Sequence, residues 1–157
     1  MTQTLSVAAA KEAWAQRRFL DCGRALYEPL KPAERVDWAA ALLTFCMRYS
    51  TSAPVIDRVV ELARVSSDWR LAHAAFSDVR KMTLVAEGRG GSIDPRLKSL
   101  LYVAENTAKV IYNASNEPAP FDHDAGWWVV PCFEHFLATV AEAPATNGGL
   151  QLLFGDD

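Results

Sequence analysis

The 157 residues suit one ordinary domain, and a chain that is 50% hydrophobic and only 22% charged is neither wholly disordered nor dependent on disulfides to bury a core. The net charge of -3 hides a split: up to Ile93 there are 13 Lys and Arg against 10 Asp and Glu, and from Asp94 onward 3 against 9. An acidic C-terminal part attracts cations and basic partners and repels phosphate backbones, so nucleic-acid binding through that end is not expected.

The same asymmetry also fits an acidic part docked on a basic part of the same molecule. Three widely spaced cysteines, Cys22, Cys46 and Cys132, contain no CxxC pair and point to a reducing compartment. The first residues, MTQTLSVAAAKEAW, have no basic segment ahead of an apolar run, and Val36 to Met47 is too short to span a bilayer. A cytoplasmic protein without membrane contact is the expectation.

In chain order, Leu5 to Leu20 reads as a first helix, with Ala10, Ala13 and Trp14 on one side and Lys11, Glu12, Arg17 and Arg18 on the other. Gly23 is the expected stop. Pro32 opens a second helix, with Glu34 at its positive end. Val36, Trp38, Leu42, Leu43, Phe45 and Met47 make that helix apolar nearly all round, the mark of a central element. Pro54 opens a third helix with Val55, Ile56, Val59 and Leu62 inward. Ser66-Ser67-Asp68 signals a turn or cap, and Trp69, Ala72, Phe76 and Val79 follow at helical spacing.

Gly88-Arg89-Gly90-Gly91-Ser92 has the glycines of a phosphate cradle, but no strand precedes it and no GK[ST] follows, so it reads as a connector. Asp94-Pro95 is an N-cap and first-turn pair. The fifth helix carries an apolar stripe from Leu97 to Ile111, with Glu105 and Lys109 at the spacing of an ion pair. Asn106 and Asn113 share the face of Lys109 and are candidate amide ligands for a partner. Asn113-Ala114-Ser115 fits a glycosylation sequon, discounted without a secretion signal. After a loop from Ala114 to Pro120, Asp124 is placed to cap a last helix, Ala125 to Glu142, interrupted near Pro131.

These elements predict an all-α, single-domain, irregular bundle of about six helices over residues 1–157, with residues 143–157 as a flexible or docking tail. The apolar second helix and the LQLLF cluster of the tail make a homodimer conceivable.

Candidate sites cluster near the acidic loop. Asp122-His123-Asp124 sets two carboxylates around an imidazole, and all three are ligand types for a metal. Consecutive residues seldom all face one ion, so closure needs Glu134 or His135. Cys132 and His135, at i and i+3, share a helix face and suit a metal or a nucleophile–base pair, although acidic surroundings oppose a thiolate. His73, between Trp69 and Phe76, reads as a histidine at the core boundary. No GxSxG, HExxH, P-loop or dinucleotide fingerprint is present, and no cofactor is expected.

Successive helical residues point about 100° apart, so Trp127 and Trp128 cannot both enter one core. An exposed tryptophan beside acids has the composition of a binding hot spot. Two functions follow. The first is a non-catalytic adaptor, regulator or inhibitor that engages a basic protein through Asn113, Asp122, His123, Asp124, Trp127 and Trp128. The alternative is a metal-dependent hydrolase built on Asp122, His123 and Asp124, with Glu134 as a further ligand or His135 in catalysis.

Overall fold

The computed structural model describes residues 2–65, 68–88, 93–116 and 120–155, with side chains from residue 6 onward. They form eight helices: α1 (Thr2–Ala15), α2 (Phe19–Tyr27), α3 (Pro32–Met47), α4 (Pro54–Val65), α5 (Trp69–Gly88), α6 (Pro95–Ser115), α7 (Ala125–Val140) and α8 (Ala143–Phe154). No strand occurs among the described residues, so the all-α class is correct. No helix is long and apolar enough to cross a membrane among those residues. The connector at 89–92, Ser66-Ser67, Glu117-Pro118 and the last two acids lie outside the described residues.

Eight helices replace the expected six because the expected first helix breaks at Arg17 and the residues after the expected last helix are themselves helical. Arg17 has a left-handed φ of 61°. Its N–H donates to Trp14 C=O at 2.9 Å, and Arg18 N–H donates to Ala13 C=O at 2.8 Å, the paired bonds of a Schellman stop. The last expected helix ends within two residues of its expected bound, at Ala141, with φ 54° and its N–H on Leu137 C=O at 2.9 Å. Residues 143–154, expected as a tail, form helix α8, and Ala145, Gly149 and Leu153 are buried.

Three of the helix starts that the sequence marks behave as marked. Glu34 reaches back to accept Lys31 N–H at 2.8 Å, Asp68 accepts Arg70 N–H at 2.9 Å, and Asp94 accepts Arg96 N–H at 2.9 Å.

The central element is α6 rather than α3. Ten residues of α6 are buried, because α3, α4, α5 and α7 all pack against it. Phe133 and Phe136 of α7, Leu42 and Leu43 of α3, Ile56 of α4 and Leu100, Leu101 and Ile111 of α6 fill the core. The apolar residues of α3 and α8 that suggested a homodimer mostly belong to this core, although Leu152 stays exposed. Helix α5 approaches α6 through small buried residues: Ala72, Ala75, Thr83 and Ala86, with Val79 between them. The Thr83 hydroxyl is satisfied by Val79 C=O at 3.0 Å.

Glycine positions the α2–α7 contact. Gly23 does not end a helix; it lies buried in the middle of α2, where a Cβ would overlap the Trp127 carbonyl oxygen. That carbonyl lies four residues before Pro131, which has no N–H to donate to it. Gly126 of α7 is in turn covered by the Tyr27 ring of α2. Each helix contributes one glycine, and the backbones meet.

Candidate functional site

The loop between α6 and α7 is held by the side chains expected to bind a partner. Asn113 Oδ1 accepts Phe121 N–H at 2.6 Å, and its Nδ2 donates to Asp122 C=O at 3.1 Å. One amide thus satisfies two loop backbone groups and clamps the loop to the end of α6. Asp122 has a left-handed φ of 55°, tolerable for an aspartate. Its carboxylate meets Lys109 Nζ at 2.8 Å.

Lys109 also lies 5.2 Å from the Phe76 ring centroid and 5.3 Å from that of Phe121, within reach of both aromatic faces. Phe121 packs edge-on to Phe76 at 5.0 Å and to Tyr112 at 5.9 Å. His73, expected at the core boundary, is exposed and stands 6.1 Å from Phe121. The ion pair expected between Glu105 and Lys109 does not form. Buried Glu105 pairs instead with Arg80 of α5 at 3.2 Å, since a carboxylate out of water requires a close cation.

The two tryptophans diverge. Trp127 turns toward α2: its Nε1–H donates to Glu28 at 2.6 Å, and the Arg24 guanidinium lies 4.9 Å from its ring centroid. Trp128 turns outward and is 45% exposed, the most exposed of the five tryptophans of the chain. Its Nε1–H donates to Asp124 at 3.2 Å. Asp124 begins α7 but makes no side-chain capping bond; the indole takes that carboxylate. The exposed His123 sits edge-on to Trp127, with centroids 5.9 Å apart.

The remaining candidates form a seam between α6 and α7. His135 Nδ1 and Ser99 Oγ are 2.7 Å apart, with Thr139 Oγ1 3.5 Å from Ser99. Ser99 is 1% exposed, so this hydroxyl–imidazole pair clasps two helices and offers no nucleophile to a substrate. Sequence reading missed Ser99 because it lies among the leucines of the α6 stripe.

Asn106 Nδ2 donates to Tyr102 C=O at 3.0 Å and lies 3.5 Å from Cys132 Sγ. Burial pushes the Cys132 thiol up to about 11, and the nearby Glu105 charge adds to the effect. It stays protonated at neutral pH, as the acidic surroundings suggested. Burial likewise raises Cys22 to about 12. Asp122, Asp124 and His135 thus each face a different partner. Among the described residues no three His, Cys, Asp or Glu side chains converge to hold a metal, Glu134 included.

Three larger hollows lie away from the loop. A cleft of about 330 Å³ opens where α3, α4 and α6 meet, and broader depressions of about 570 and 620 Å³ lie along α1–α2 and α3–α8. None of these three is lined by Asp122, His123, Asp124 or Trp128. The chain matches no protein-family model, no curated protein and no solved structure.

Proposed function

We propose that the protein is a non-catalytic binding module, an adaptor, regulator or inhibitor, that engages a basic protein partner through the outer face of the first turn of α7. The observation that carries this reading is the contrast within one dipeptide: Trp127 is fastened to α2, whereas Trp128 stands 45% exposed with its indole oriented by Asp124. An aromatic side chain held in place before binding loses little freedom when a partner covers it. The neutral indole N–H leaves the Asp124 charge uncompensated, so the carboxylate beside the anchor selects for a cation.

Asn113, Asp122 and Lys109 support this surface from behind by fixing the loop that leads into α7. His123 lies at its edge. A photo-crosslinking residue at position 123, at the exposed edge of this surface, leaves Trp128 in place and tests the reading. It is expected to capture a basic protein, with yield lost on Asp124→Asn and on Trp128→Ala. Equal capture from exposed Val65 on α4, or no dependence on Asp124, would overturn it.

A further inference from the structure

The cleft of about 330 Å³ at the α3–α4–α6 junction has the size of a small-ligand pocket. Pro32 and Val36 of α3, Ala63 of α4 and Ile111 of α6 give it apolar walls. Asp37 is the one charged residue that lines it, and no described residue neutralises that carboxylate with an ion pair.

The last turn of α6 supplies a second source of negative potential. Ala114 and Ser115 line the cleft at the carbonyl end of a 21-residue helix, and no basic side chain occupies that turn. Arg35 lines a neighbouring hollow that shares Pro32 and Ala114 with the cleft, and it is committed elsewhere. Its guanidinium donates to Tyr27 C=O at 3.2 Å and Glu28 C=O at 3.0 Å, and lies over the Tyr27 ring at 4.3 Å.

We propose that this cleft binds a small organic amine: a compact apolar body seated between Val36, Ala63 and Ile111, with its ammonium group directed to Asp37 and the carbonyl end of α6. The site is distinct from the Trp128 surface and does not depend on it.

Three probes that share one ring and differ only in head group test the proposal: cyclohexylmethylamine, cyclohexylmethanol and cyclohexanecarboxylate. Amide chemical shifts of the full chain are followed during titration. The amine is expected to move resonances of the first turns of α3 and the last turn of α6, and to bind about fivefold more tightly than the alcohol, the scale of one partly exposed ion pair. Asp37 is exposed, so Asp37→Asn keeps the fold, and it is expected to bring the amine down to the alcohol. Ala63→Leu fills the cleft and is expected to remove all three. Equal binding of amine and carboxylate, shifts confined to other surfaces, or no shift at about 10 mM amine would overturn the proposal.

Discussion

The two faces of the first turn of α7 are built on opposite terms. On the inner face, Gly126 lies under the Tyr27 ring, Gly23 lies against the Trp127 carbonyl, and the Trp127 indole is fixed by Glu28 and Arg24. Nothing there has room to change. On the outer face, Trp128 and Asp124 hold one another and meet no other helix through a hydrogen bond. The difference teaches that residue type does not set a tryptophan's role. One register step, about 100° of helix rotation, separates a structural pin from a surface anchor.

Gly23→Ala breaks the inner face most severely. Replacing a helical glycine by alanine ordinarily gains up to about 1 kcal/mol. Here the added methyl overlaps a carbonyl oxygen on another helix, which cannot rotate away. The expected net loss is about 3 kcal/mol in urea unfolding. Gly126→Ala should cost somewhat less, because the obstacle is a ring rather than backbone. A neutral or stabilising outcome at Gly23 would mean that α2 and α7 are not in this contact.

Asn113→Ala tests whether the loop is pinned from behind. It leaves Phe121 N–H and Asp122 C=O without their partner, an expected loss of about 2 kcal/mol. If Asn113 were instead a ligand-binding amide free of internal duty, stability would not move. Trp127→Phe keeps a ring in place and removes the bond to Glu28, for an expected loss of about 1 kcal/mol. Its companion Glu28→Gln should reproduce part of that loss.

Much of the fold is legible in the sequence where a helix end has its own chemistry. Pro32 with Glu34, Asp68 and Asp94-Pro95 each stand at the helix start their residues specify. The missed break, at Arg17, is a left-handed residue of a type that rarely adopts that conformation. The helix after Ala141 is missed because its start, Ala143-Pro144, follows an expected helix end with no side-chain cap. Gly23 misled for the converse reason: its small size serves a close helix approach, and a stop and an approach look alike in one dimension.

The candidate site was legible as a place but not as a set of roles. The divergence of the two tryptophans follows from helical periodicity alone. The partners of Asp122, Asn113 and Glu105 do not, since Lys109 to Asp122 spans 13 residues and Arg80 to Glu105 spans 25. Local spacing rules pair Glu105 with Lys109; burial of Glu105 decides for Arg80.

The most direct test of the split between the faces compares Trp127→Phe and Trp128→Phe by urea unfolding and by acrylamide quenching of tryptophan emission. The account predicts that Trp128→Phe leaves stability within about 0.5 kcal/mol of the wild type and removes the most quencher-accessible emission. Trp127→Phe should lower stability and leave that accessible component in place. The opposite pattern, with Trp128 needed for stability and Trp127 reporting to solvent, would contradict both the assignment of the faces and the binding function drawn from it.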